Sequence, residues 1–139
     1  MAHAGALRRV GGDDLLAEFI QNDWRKADLN DAQRAMLEYT EKLTLTPAMM
    51  EEKDVQALRD VGWTDRDVLD IASACAYFNF RVRIVDGLGL ETSDQTAERA
   101  TQARDHAKTL AAEKGVNLPG DIWGVGEQAK SAKDKTTAG

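Results

Sequence analysis

The stretch from Thr64 to Gly89 constrains this chain more than any other. Ile71, Cys75, Phe78, Val82 and Val85 recur at helical spacing on one face, while Leu69, Ala72, Ala76, Phe80 and Ile84 fill others. A helix that is apolar on most sides is a central one, and other elements have to cover it. Thr64 supplies a start, with Asp67 three residues on and well placed in the first turn. Gly87 and Gly89 supply the end. The sequence therefore predicts a buried helix over 65–86, in which Phe78→Ala should cost about 3–5 kcal/mol.

The flanking segments read as helices that would do the covering. Residues 2–10 suggest a short helix stopped by Gly11 and Gly12, and Asp13 caps a segment through Ile20 that Trp24 closes. Asn30 and Gln33 form a capping-box pattern ahead of Ala32, Ala35, Met36, Tyr39 and Leu43. Pro47 ends that helix, because the residue before proline avoids the helical region. A shorter helix runs from about Glu52 to Val61, followed by Gly62. Residues 93–114 carry Ala97, Ala100, Ala103, Ala107, Leu110 and Ala111 at steps of three and four. That stripe allows close helix approach but buries little area. From Val116 the composition turns to Gly, Ala, Lys, Ser and Thr, a flexible tail. No strand-like alternation and no repeat is present, so the fold class is all-α.

The composition narrows the function. The 139 residues suggest one domain with a modest core. The formal net charge of −6 disfavours a phosphate backbone as partner, so no nucleic acid is expected. No apolar run reaches the length needed to span a membrane, no secretory signal is evident, and the cytoplasm is the expected compartment. One cysteine, Cys75, excludes a disulfide within the chain and a CxxC zinc site; His3 and His106 lack ligand spacing.

The segment AYFNFRVRIVDGLGLE at 76–91 resembles the YFNFxNRxADGLGxE stretch of peroxidase-related proteins in the alkylhydroperoxidase D-like (AhpD-like) and carboxymuconolactone decarboxylase-like superfamily. HAGALRR at 3–9, ADLNDAQRAMLEYTEKLT at 27–44 and DVQALRDVGWTDRDVLDI at 54–71 agree in order and spacing. The resemblance implies an AhpD-like orthogonal helical bundle, incomplete at the N-terminus, that assembles into homo-oligomers. It divides the chain into a helical core at 1–91, an Ala-rich helix at 92–115 and the tail at 116–139. The family activity it implies is thiol-dependent reduction of peroxides, with electrons from a dithiol donor protein and with no metal, haem or other cofactor. In those relatives a CxxC stands just upstream of the HxxALRR-like stretch. One thiolate attacks the peroxide oxygen and the second resolves the sulfenic acid as a disulfide; the histidine one turn later exchanges a proton. Only His3 matches that catalytic set here, since both cysteine positions would fall before Met1. Val82 departs from the family's asparagine.

Three further features have two readings each. Cys75 is either a nucleophile or a buried, inert core thiol; Arg83 lies two turns away, about 12 Å along the axis, and the core reading is preferred. Asn79, Arg83 and Asp86 either line a pocket or form an internal network in which Arg83 pairs with Asp86; the network is preferred. Trp123, with Ile122 and Val125, either docks on the protein's own surface or forms a docking peptide. Glu51, Glu52, Asp65 and Asp67 match the dipoles at helix starts. The chain is thus expected to be peroxidase-related but inactive as written. It is either a late-started version of an enzyme or a non-catalytic helical oligomer that acts by binding, and the coding sequence upstream of Met1 separates the two.

Overall fold

A computed structural model describes residues 14–91 and 93–120. Five α-helices account for most of them: α1 (Asp14–Asp23), α2 (Asp31–Leu45), α3 (Glu52–Asp60), α4 (Asp65–Gly87) and α5 (Asp94–Lys114). Short 3-10 turns follow α1 (Trp24–Lys26) and α2 (Pro47–Met49), and no strand occurs among the described residues. The expected helix at 2–10, the Asp13 cap and the region around Trp123 lie outside the described residues. The chain divides into two compact units: Leu29–Thr92, which holds α2, α3 and α4, and the pair Met1–Asp28 with Ser93–Gly139, which holds α1 and α5.

In the continuous unit, local chemistry sets the helix ends. Asn30 Oδ1 accepts the Gln33 N–H at 2.8 Å, and Gln33 Oε1 accepts the Asn30 N–H at 3.1 Å. Thr64 Oγ1 accepts the Asp67 N–H at 3.2 Å while Asp67 Oδ2 accepts the Thr64 N–H at 2.9 Å. Both are reciprocal capping boxes that satisfy donors the helix cannot. Gly62 (φ +99°) turns the chain out of α3, so that the Trp63 N–H reaches the Leu58 carbonyl at 3.1 Å. Gly89 (φ +61°) does the same after α4, with the Leu90 N–H on the Val85 carbonyl at 3.0 Å. Both turns need a left-handed residue, which glycine adopts without a Cβ clash. α4 therefore runs through Gly87, and Gly89 makes the turn.

Packing then joins the three helices. α2 contacts both α3 and α4, and α3 contacts α4. Lys42 Nζ on α2 holds both carboxylate oxygens of Asp54 on α3 at 2.7 Å. That contact, with the Glu51 N–H, keeps the Asp54 carboxyl below the usual aspartate range. Trp63 Nε1 donates to the Ala32 carbonyl at 2.9 Å, tying the α3–α4 turn to the first turn of α2. Leu58 is wholly enclosed, at 0% exposure.

The expectation that α4 is buried throughout is not met. Val68 is its one buried residue, and Phe78 is 37% exposed. The reason is length and placement. α4 has 23 residues, about 34 Å, whereas α2 has 15 and α3 nine, about 22 and 14 Å. The covering helices do not reach the last turns of α4, neither packs on its far side, and the ring of Phe78 borders an open groove. The cost of Phe78→Ala is reduced accordingly, to about 1–2 kcal/mol, since much of the ring stays in water. A loss above 3 kcal/mol by urea denaturation would show that the ring is covered in solution.

In the other unit α1 packs on α5. Leu15 and Ala17 of α1 are buried, as are Ala107 and Ala111 of α5. The alanine stripe read from the sequence is thus a contact face. Its small side chains leave room for polar groups: Glu18 is buried, accepts from Asn22 Nδ2 at 3.1 Å and lies 3.7 Å from Arg104 Nε. His106 Nδ1 pairs with Asp14 Oδ2, linking the outer sides of the two helices.

Candidate functional site

A groove of about 560 Å³ opens between α2 and α4, with Trp63 at one end. Met36, Leu37, Ile71, Ala74 and Phe78 give it apolar walls, and Asp67 and Asp70 lie near its α4 N-terminal end. Its polar patch comes from two pairs spaced four apart, Thr40 and Thr44 on α2 and Cys75 and Asn79 on α4. Residues four apart share a helix face, so the packing of α2 on α4 brings the pairs together.

Cys75 sits at the centre of that patch and is half-buried, not fully enclosed as expected. Its thiol lies 3.6 Å from the Thr40 carbonyl, to which it donates, and 3.4 Å from Thr44 Oγ1. Asn79 Nδ2 approaches the Cys75 sulfur at 3.4 Å, and donates to the Cys75 carbonyl at 3.0 Å and to Thr44 Oγ1 at 2.9 Å. Burial pushes the Tyr39 phenol above its ordinary value, and the nearby Cys75 and Asp54 add to the shift.

Arg83 departs from the expected network. Its guanidinium donates to Asn79 Oδ1 at 2.9 Å and to the Asn79 carbonyl at 3.0 Å, and no Arg83–Asp86 pair forms among the described residues. Long side chains on a helix lean toward its N-terminus, which sends Arg83 back to Asn79 instead of forward to Asp86. Through Asn79, Arg83 therefore extends the groove's polar patch by one turn along α4. The acidic residues stand at helix starts as read, with Glu51 at the cap of α3, Glu52 in its first turn, and Asp65 and Asp67 in the first turn of α4; in addition Arg59 bridges Glu52 at 3.0 Å and Asp65 at 2.8 Å, and Thr64 holds the Asp67 carboxyl below its ordinary range.

His3, the catalytic candidate, lies outside the described residues. Thr40 and Thr44 went unnoticed in the sequence, although their spacing of four on an amphipathic helix was the available signal. Chemically the patch offers one thiol among hydroxyl, amide and carbonyl groups. A hydrogen-bonded thiol of this kind can hold a polar atom, but the sequence has no second cysteine for it to form a disulfide with.

No family model matches the sequence, and no curated protein matches it. Solved structures do. An uncharacterised peroxidase-related protein from Silicibacter sp. TM1040 is 35% identical, with a TM-score of 0.64 over 68% of this chain and 49% of that one. The AhpD core of an uncharacterised peroxidase-related protein from Ralstonia eutropha JMP134 is 34% identical, with a TM-score of 0.62 over 68% of this chain and 50% of that one. The chain thus spans about half the length of either. With a third of the residues shared across two thirds of this chain, and with a helical fold in common, the chain belongs to the AhpD-like superfamily, and peroxidase-related proteins are its structural neighbours.

Proposed function

We propose that this chain carries the helical framework of the peroxidase-related proteins without a peroxide-reducing dithiol centre of its own, and that it acts as a homo-oligomeric binding module. One observation carries the reading: the sole thiol, Cys75, is held by Thr40, Thr44 and Asn79 in the wall of a groove. Reduction of a peroxide by a thiolate transfers one oxygen to sulfur and leaves a sulfenic acid. A second thiol must then condense with it, releasing water and forming the disulfide that a dithiol donor reduces. Cys75 has no such partner in the chain. His3 is the one catalytic residue that the family resemblance supplies.

The framework in this reading is the family-like core at 1–91, and the Ala-rich helix at 92–115 and the tail at 116–139 are additions to it. No described helix is long and apolar enough to cross a membrane, and the reading takes the cytoplasm as the compartment. The test is a peroxide-turnover assay with hydrogen peroxide and a small dithiol, comparing the purified chain with Cys75→Ser. Equal rates are expected. Turnover that depends on Cys75 would overturn the reading and would call for a dithiol donor protein in the cell.

A further inference from the structure

We propose that the groove between α2 and α4 binds a cationic amphiphile: a small molecule with an ammonium head seated at the Trp63 end and a hydrocarbon chain laid along α4. The proposal rests on the binding-module reading above and names the class of ligand. All twelve residues that line the groove belong to Leu29–Thr92, so its walls are built within one compact unit. Its volume of about 560 Å³ falls within the range of roughly 300–1,000 Å³ usual for small-molecule sites.

The lining sorts by chemistry along the helix. Asp67, Asp70, Ile71, Ala74, Cys75 and Phe78 follow one another at steps of three, one, three, one and three, which keeps them on one face of α4. The two carboxylates come first. The positions after them run on for about 12 Å from Asp70 to Phe78, and Met36 and Leu37 of α2 add apolar surface to the same groove. A molecule that suits both parts is charged at one end and apolar beyond it. The polar groups midway already bond to one another, since Asn79 Nδ2 donates to Thr44 Oγ1 and to the Cys75 carbonyl, so the chain can pass them.

Charge decides the sign of the head. Asp67 and Asp70 are the charged residues of the lining, and no lysine, arginine or histidine joins them there. Asp67 gives Oδ2 to Thr64, and Asp70 gives Oδ2 to Arg66 at 3.1 Å. Oδ1 of each has no hydrogen bond among the described residues and can accept one from an ammonium N–H. The Arg66–Asp70 pair stands mostly in water, where such pairs are weak. The positive end of the α4 dipole, about half a charge, offsets the two carboxylates only in part. Trp63 adds aromatic surface, which attracts cations, and its ring is fixed by the Nε1 bond to the Ala32 carbonyl. A metal ion is a poor occupant, because no group of three or more His, Cys, Asp or Glu among the described residues could hold one. An organic cation needs no such shell, and the apolar walls take its chain out of water.

The experiment uses the full chain and three probes with the same ten-carbon tail, kept below micelle formation: decylammonium, decanol and decanoate. Calorimetry gives the affinities, and amide and indole NMR gives the place. Decylammonium should bind about tenfold tighter than decanol, with decanoate weaker still, and should shift the Trp63 indole N–H and the amides of α4 from Asp70 to Asn79. Asp70→Asn, with unchanged helical circular dichroism, should weaken decylammonium about threefold to tenfold and leave decanol as it was. Ala74→Phe fills an exposed position in the groove wall and should weaken both. Equal affinity for the three probes, or no loss in Asp70→Asn, overturns the cationic head site. Shifts confined to other parts of the chain, or no binding by any probe, overturn the groove assignment. Peroxide turnover that depends on Cys75, with decylammonium still bound in the groove, overturns the binding-module reading and leaves this site standing.

Discussion

Replacing Leu58 by alanine should remove about 2–5 kcal/mol of stability. Among the described residues Leu58 is the largest side chain that is fully enclosed, at 0% exposure. It stands on a helix of nine residues that contacts both α2 and α4. Alanine there forfeits the transfer of the lost carbons and leaves a cavity that three helices can close only in part. Domains of this size are stable by roughly 5–15 kcal/mol in all, so the substitution removes a large share. Leu58→Met keeps the volume and should cost under about 1.5 kcal/mol. Urea denaturation followed by helical circular dichroism separates the two. A Leu58→Ala loss below 0.5 kcal/mol, the range of surface substitutions, would show that the side chain is open to water in solution.

Ala107→Leu should destabilise the α1–α5 pair by about 1–3 kcal/mol, through crowding instead of loss. Ala107 has 0% exposure on the face of α5 that meets α1. Three added carbons must either leave their rotamer or push α1, with Leu15, Ala17 and the buried Glu18, away from α5. Ala112 lies on the same helix but is exposed, so Ala112→Leu should stay within about 0.5 kcal/mol. Amide hydrogen exchange gives the readout: α1 and α5 should exchange faster in Ala107→Leu, with α2, α3 and α4 unchanged. Equal protection in both variants would mean that α5 presents another face to α1.

The parts of this fold that were legible in the sequence are those decided within a few residues. The pairs Asn30 with Gln33 and Thr64 with Asp67 satisfy helix ends by contacts three residues long, and both form as read. Gly62 and Gly89 mark turns for an equally local reason, the need for positive φ. Exposure is different, because it depends on which distant element arrives. The apolar pattern of α4 says that it must be covered; it does not say that α2 and α3 pack on one side of it and leave an open groove, where the ring of Phe78 is 37% exposed. The candidate site shows the same division. Cys75, Asn79 and Arg83 stood out on one helix, but Thr40 and Thr44 come from another, 35 residues away from their partners Cys75 and Asn79. Arg83 was paired forward with Asp86 on spacing alone, where the lean of helical side chains favours Asn79.

The grouping of α1 with α5 has a consequence for the order in which the chain can acquire its structure. The unit Leu29–Thr92 is one continuous stretch, whereas α1 must wait for a helix that the ribosome finishes at Lys114. At usual elongation rates the interval between Asp23 and Lys114 is about 5–20 s, far longer than the microseconds a helix needs to form and dissolve. Once Gly87 has been made, α2, α3 and α4 have all their mutual contacts within the chain, before Lys114 is reached. α1, too short to hold its shape alone, emerges before α2, α3 and α4 and is fastened after them.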